Sequence, residues 1–193
     1  MCKNNGLSIN GVSFEERFVS DYVKLDEKVK AWKKDGLRVV LTSGSYDLLH
    51  IGHAQYLMKA KACGDVLVVG VDDDEKVKYR KGNNRPVVPE KERYTMLAHL
   101  RHVDIVVPKS KGDPDMHLIM TICPDVLVIS ETTKHRPERI EKMKKFCSEI
   151  KLLPPQATTS TSAKIRKVFT QGVKEFADKL TKKIDELLHE MTE

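Results

Sequence analysis

Five short runs of apolar, largely β-branched residues punctuate the chain, and a stretch of helical periodicity separates each from the next. The runs are 37–41 (LRVVL), 65–71 (DVLVVGV), 103–107 (VDIVV), 126–129 (VLVI) and 149–153 (EIKLL). Runs without polar alternation suit strands covered on both faces, the situation of a parallel sheet. Helical stretches lie at 54–64, closed by Gly64, at 89–100, opened by Pro89, and near 114–122 and 136–147. The expected fold is therefore α/β: a doubly wound, Rossmann-like, five-stranded parallel sheet with helices on both faces.

Helical extensions flank that core. From Ser13 the segment opens with a Ser13/Glu16 capping box and places Phe18, Tyr22, Leu25, Val29 and Trp32 on one apolar face, ending at Gly36. It reads as a single amphipathic helix. At the other end, Phe169, Val173, Phe176, Leu180, Ile184, Leu187 and Met191 form a stripe along a second, longer helix. Its polar face mixes Asp and Glu with Lys, which favours packing on its own domain or a dimer seam over membrane contact.

A chain of 193 residues suits one domain with extensions, and 40% hydrophobic residues supply a core. The longest apolar stretch, around 66–71, falls far short of the roughly 20 residues of a bilayer span, and residues 1–20 lack a signal-peptide h-region. Neither membrane insertion nor secretion is expected. Cys2, Cys63, Cys123 and Cys147 show no CxxC pair, so a reducing, cytoplasmic setting fits. The net charge of +6 suits an anionic ligand. With 6% aromatics and no stacking box beside a basic stripe, nucleic acid is not the expected partner.

In an open parallel sheet, ligands bind beyond the carboxyl ends of the strands, so the turn after the first strand is the candidate site. There the chain reads Thr42-Ser43-Gly44-Ser45-Tyr46-Asp47-Leu48-Leu49-His50-Ile51-Gly52-His53 and enters a helix. Backbone amides at such a helix start favour phosphate. His50 and His53 can face the same anion, and Gly52 lets backbone approach it without a Cβ. A structural zinc pair lacks nearby third and fourth ligands, and two histidines bracketing a glycine are unusual for plain core residues.

These residues resemble the nucleotidylyltransferases that carry an HxGH signature, whose first strand ends in a Gly-x-[Phe/Tyr]-Asp turn like Gly44-Ser45-Tyr46-Asp47. The likeness continues through Lys81-Gly82, Glu92-Arg93-Tyr94, Arg101-His102-Val103-Asp104 and Ser160-Thr161-Ser162, and covers about residues 25 to 168. Within the superfamily the chain looks most like heptose-phosphate adenylyltransferases, glycerol-phosphate cytidylyltransferases and their choline or ethanolamine relatives. The resemblance implies an extension over 1–36, a nucleotidyltransferase domain over 37–168 and a terminal helix over 169–193.

It also implies that His50 and His53 hold the nucleotide phosphates, that Lys81 holds the incoming phosphate, and that Ser160, Thr161 and Ser162 bind the β- and γ-phosphates. Gly44, Ser45, Tyr46, Asp47, Gly52, Asp74, Arg101 and Asp104 would place nucleoside or substrate. Residue by residue, plainer roles stand beside these: Ser160 to Ser162 as an N-cap, Lys81 as a surface lysine made notable by Arg80 and Arg85 in a cationic loop, and Asp72 to Asp74 as a solvated strand end.

The implied reaction transfers a nucleotidyl group from a nucleoside triphosphate to a small phosphorylated sugar or polyol, releasing pyrophosphate. A phosphate monoester is largely dianionic at neutral pH and needs no general base. Mg2+ would ride on the nucleotide phosphates, and a homodimer is expected from relatives. Asn84-Arg85-Pro86-Val87 and the helix before the first strand favour ATP, whereas Glu92-Arg93-Tyr94 and Arg101-His102-Val103-Asp104 look closer to CTP enzymes. Two other readings compete. A class I aminoacyl-tRNA synthetase shares the His-Ile-Gly-His signature but needs a second signature and tRNA-binding domains that the sequence does not supply. A non-catalytic nucleotide-binding module would keep the fold alone, and Ser130-Glu131-Thr132-Thr133, where relatives carry a Gly-Gly-Asp or Gly-Asp-Asp turn, points to an altered acceptor pocket.

Overall fold

Each of the five apolar runs forms a strand: β1 (Val39–Gly44), β2 (Val66–Asp72), β3 (Ile105–Lys109), β4 (Val126–Ser130) and β5 (Glu149–Leu153). The computed structural model describes residues 13–133, 135–156 and 161–190, apart from the side chains of 161–166 and 185–190. The strands pair in parallel in the order β3-β2-β1-β4-β5. β1 starts two residues later than the apolar run because the Arg38 and Val39 amides donate to the carboxylates of Asp65 and Asp125, 2.8 Å each. At its other end β1 takes in Thr42 to Gly44, pairing Gly44 with Val71.

Helices cover both faces, as a doubly wound sheet requires. Helix α3 (Ile51–Lys61) and helix α5 (Glu90–Ala98) pack Leu57, Ala60, Tyr94, Leu97 and Ala98 against Val40, Leu67, Val69, Val106 and Val128. On the opposite face, α2 (Tyr22–Lys34), α6 (His117–Ile122) and α7 (Pro137–Lys144) pack Leu25, Val29, Leu118, Ile119, Ile122 and Met143 against Val39, Leu41, Val68, Val107 and Leu127. Leu25, Leu57, Leu67 and Leu97 are fully buried, and each such side chain contributes about 1.5–3 kcal/mol relative to exposure.

The N-terminal segment is not the single helix its periodicity suggests. Helix α1 (Phe14–Arg17) is one turn long and carries the expected Ser13/Glu16 capping box. The chain then extends: Phe18 bridges Val106, and the Val19 amide donates to the Val106 carbonyl at 3.0 Å. Asp21 restarts the helix by accepting from the Val23 and Lys24 amides. This interruption covers the open edge of β3, whose unpaired groups would otherwise template another chain. Phe18 consequently leaves the apolar face it was assigned to and stacks on Tyr94, 5.4 Å between ring centroids, on the α5 side.

A further helix, α4 (Asp74–Lys81), replaces the expected cationic loop. Asp73 caps it through the Lys76 amide, and Gly82 ends it at φ +92°, a conformation that favours glycine. The chain divides into two compact units, Met1–Gln156 and Ala157–Glu193. The second contains α8 (Thr161–Glu190), a 30-residue helix with the apolar stripe Phe169, Val173, Phe176, Leu180 and Ile184. No described helix is long and apolar enough to cross a membrane.

Gly64 tests the junction between α3 and β2. A Cβ there would lie 2.7 Å from the Arg38 carbonyl oxygen, which already accepts from the Asp65 and Val66 amides. Gly64→Ala should therefore destabilise the first unit by about 1–3 kcal/mol, the range for overpacking, read as a lower urea midpoint at unchanged slope.

Candidate active site

The strand order fixes where a ligand can enter. β1 leads into α3 on one face and β4 into α7 on the other, so a crevice opens between neighbouring strands whose connections diverge. Pairing between these strands covers only Val40–Val126 and Leu41–Leu127, against six residue pairs between β1 and β2. Past it, the Tyr56 hydroxyl donates to the Val128 carbonyl at 3.2 Å and meets Thr42 Oγ1 at 2.8 Å, tying the strands below the crevice. Burial pushes its phenol up to about 12, which keeps it a donor.

His50 and His53 stand at the mouth. His50 caps α3, its Nδ1 accepting from the Gly52 amide at 3.0 Å. An accepting Nδ1 places the ring proton on Nε2, leaving that nitrogen as a donor. The two imidazoles lie 4.0 Å apart at their centroids, and the Tyr46 ring meets His53 edge-on at 5.5 Å. The turn that delivers them is bent by two non-glycine residues with left-handed backbone, Tyr46 (φ 50°) and Leu48 (φ 53°), each costing of order 1–3 kcal/mol. Gly52 is buried in the first turn of α3.

Protein groups engage the carboxylates around the mouth. Asp47 is buried and accepts from the Val87 and Val88 amides and from Arg85 Nε, all near 3.0 Å. Asp72 is fully buried and pairs with Arg80 Nη1 at 2.5 Å and Lys109 Nζ at 3.3 Å. Asp74 pairs with Arg93 Nη2 at 2.8 Å. Arg93 is itself 1% exposed and donates also to the carbonyls of Ser45, Asp72 and Val88. Thus Ser45, just past the end of β1, is fixed from the α5 side. Burial pushes the Tyr46 phenol well above its ordinary value and the Lys109 ammonium below its own.

Lys81 closes α4. Of the three neighbouring cations, Arg80 and Arg85 are matched by Asp72 and Asp47, and Lys81 makes no ion pair among the described residues. Desolvation, then Arg85 and Arg80, lower its ammonium, so a bound anion would relieve it. Among the described residues no three His, Cys, Asp or Glu side chains gather as a metal site. With Asp47, Asp72 and Asp74 held by cations, the donor set fits an ion brought in on a polyphosphate.

Two expected site residues lie elsewhere. Asp104 precedes β3 and accepts from the Leu67 amide at 2.6 Å and Lys61 Nζ at 2.5 Å, at the amino ends of the strands. It does there for β2 what Asp65 and Asp125 do for the start of β1. Arg101 is in the turn just before it and is exposed. Both are therefore at the edge of the sheet opposite the histidines. Thr161 and Ser162 open α8 in the second unit, and Ser160 lies outside the described residues.

Arg93, Asp72 and Lys109 went unassigned as functional residues from sequence. The signal was present for each: a cation on the apolar face of α5, and charges at the carboxyl ends of two otherwise apolar strands.

Known proteins resemble the chain in family and in fold. The cytidylyltransferase-like family matches residues 41–168. The bifunctional protein HldE of Nitratiruptor is 44% identical over 113 residues, which are 58% of this chain and 24% of that one. HldE of Geotalea uraniireducens is 41% identical over 150 residues, 76% of this chain and 30% of its own length. The chain thus spans under a third of these relatives. A lipopolysaccharide core biosynthesis protein from Thermoplasma volcanium superposes with a TM-score of 0.54 at 27% identity, covering 64% of this chain and all of that one. Pantoate-beta-alanine ligase from Francisella tularensis, at 16% identity and a TM-score of 0.55 over 73% of this chain and 67% of its own, shares the fold.

Arg93→Met should leave Asp74 and three carbonyls without their donor. Breaking such a buried pair costs about 3–5 kcal/mol, to be read by urea denaturation. An unchanged midpoint would mean that the guanidinium does not organise the mouth.

Proposed function

Since the chain belongs to the cytidylyltransferase-like family, we propose that it transfers a nucleotidyl group from a nucleoside triphosphate to a small phosphorylated sugar or polyol. The observation that carries this reading is the adjacent pair His50 and His53, their rings tilted against each other at the start of α3, beside the crevice between β1 and β4. An oxygen of the acceptor phosphate attacks the α-phosphorus, the bond from that phosphorus to the bridging oxygen breaks, and pyrophosphate leaves in line. His50, donating from Nε2, and His53 stabilise the charge that builds on the α-phosphate, helped by the helix start.

Lys81 holds the incoming phosphate. By resemblance of sequence, Ser160, Thr161 and Ser162 are assigned to the β- and γ-phosphates. Tyr46, Asp47 and Asp74 act on this reading through the shape of the turn, since their contacts are with protein groups. Mg2+ carried on the triphosphate would supply charge neutralisation to its phosphates. ATP is favoured over CTP by Asn84-Arg85-Pro86-Val87, and a sugar acceptor is in line with the lipopolysaccharide core biosynthesis relative. We place the enzyme in the cytoplasm as a homodimer, with neither nucleic acid nor membrane as a partner.

Pyrophosphate release with ATP or CTP and a panel of sugar and polyol phosphates tests this function. One pair should turn over, chelation of Mg2+ should stop it, and His53→Ala should lower kcat by about 10²–10³-fold or more, as for other transition-state donors. The variant should still fold, losing about 0.5–3 kcal/mol, the ordinary span for a point substitution at a half-buried side chain. No release with any pair would leave a nucleotide-binding module in its place.

A further inference from the structure

Helix α8 carries a long apolar face open to solvent. Phe169, Val173, Phe176, Leu180 and Ile184 are all exposed, the two phenylalanines at 72% and 68%. Leu187 continues the series in sequence, and the spacings repeat after eleven residues: Phe169 with Leu180, Val173 with Ile184, Phe176 with Leu187. An eleven-residue repeat averages about 3.67 residues per turn, close to the helix's own 3.6, so the stripe runs nearly along the axis. A second helix can follow it for its whole length, about 27 Å at 1.5 Å per residue. Apolar residues scattered singly on a surface are ordinary, whereas a continuous stripe marks a contact face.

Symmetry, charge and size make a second copy of α8 the occupant. The stripe is nearly symmetric about Asp178, so a copy running the other way sets Phe176 opposite Leu180, Gly172 opposite Ile184 and Phe169 opposite Leu187 in register. Glycine is unfavourable inside a helix, and no neighbouring atom lies within 4 Å of where a Gly172 Cβ would stand, which leaves room for an approaching helix. The charges differ end to end. Residues 165–174 hold Arg166, Lys167 and Lys174 and no acid, whereas 185–190 hold Asp185, Glu186 and Glu190 and neither lysine nor arginine. Within one helix that order opposes the macrodipole. Against an antiparallel copy the basic start meets the acidic end, while a parallel copy would set like charges together and an anionic membrane would repel the acidic end. Burying a phenylalanine removes about 150–250 Å² from water, so four rings exposed over about two-thirds of their area contribute on the order of 400–700 Å². Val173, Leu180 and Ile184 from each copy bring the total close to the roughly 1,200 Å² at which stable interfaces begin.

We propose that α8 pairs antiparallel with α8 of a second copy of this chain through Phe169, Val173, Phe176, Leu180 and Ile184. The pairing rests on the homodimer reading above and supplies its seam. Each copy offers the same patch, so the contact is two-fold and closes at two chains.

The test is sedimentation equilibrium of the full chain, joined to dipolar distances between nitroxide labels. Wild type should sediment as a dimer, and Phe169→Ser/Phe176→Ser should weaken self-association about a hundredfold or more, as the loss of buried aromatic anchors does. Asp178→Ser/Lys182→Ser, on the opposite face of the helix, should not. With Cys2, Cys63, Cys123 and Cys147 replaced by serine, labels at Thr170→Cys should lie far from their copies and labels at Ala177→Cys close to theirs. The antiparallel register separates the two Thr170 positions by about 24 Å along the axis and the two Ala177 positions by about 3 Å. Equal distances at the two sites would overturn the antiparallel pairing. A dimer unmoved by the phenylalanine variant overturns the seam and leaves the homodimer standing, whereas a monomeric wild type overturns both. Capture of a monomeric chain by phosphatidylglycerol vesicles, lost in the phenylalanine variant, would give the face to a lipid surface instead and refute the pairing.

Discussion

The guanidinium of Arg93 holds together segments that meet nowhere else in sequence. It reaches the carbonyls of Ser45 after β1, Asp72 at the end of β2 and Val88 before α5, together with the carboxylate of Asp74. Burying a charge this completely is tolerable only where a counterion and hydrogen bonds replace water. Arg93 has both. Its planar fork can satisfy several acceptors at fixed angles, a task that an ammonium on a flexible stem performs less well. The turn carrying the histidines is therefore held from below, which allows Tyr46 and Leu48 to keep backbone conformations they would otherwise avoid.

The charge pattern around the mouth follows from the same economy of pairing. Acids that resemble ligands in the sequence, Asp47 and Asp74, serve the protein's own amides and cations. What remains turned toward a ligand is donor-rich: the helix start, the two imidazoles and Lys81. Such an arrangement favours an anion, while the nearby carboxylates are engaged by the protein's own cations.

The strands were legible because a run of β-branched residues without polar alternation has few other uses in a chain of this composition. The Ser13/Glu16 capping box was legible because it is a contact across three residues. The same periodicity misjudged the segment that follows. Phe18 keeps helical spacing with Tyr22 and Leu25, yet the open edge of β3 competes for its backbone and wins. Helix α4 escaped notice because DEKVKYRK buries a single apolar side chain, Val77. Asp104 was misplaced because a motif records order along the chain, whereas the amino and carboxyl edges of a sheet are separated by the length of a strand.

By itself the sequence determined the layered alternation of strand and helix, and it singled out the junction after β1, where His50 and His53 come together. These are consequences of local pattern: side-chain periodicity, caps and the residues of one turn. Tertiary structure decided that β1 and β4 are neighbours, that the pairing between them stops early, and which charges neutralise one another. Arg93 and Ser45 are 48 residues apart, Asp72 and Lys109 are 37 apart, and Arg139 and Asp115 are 24 apart. Pairings at such separations depend on the strand order, which several topologies of the same local elements could have satisfied. The order adopted leaves both faces of the sheet covered by helices.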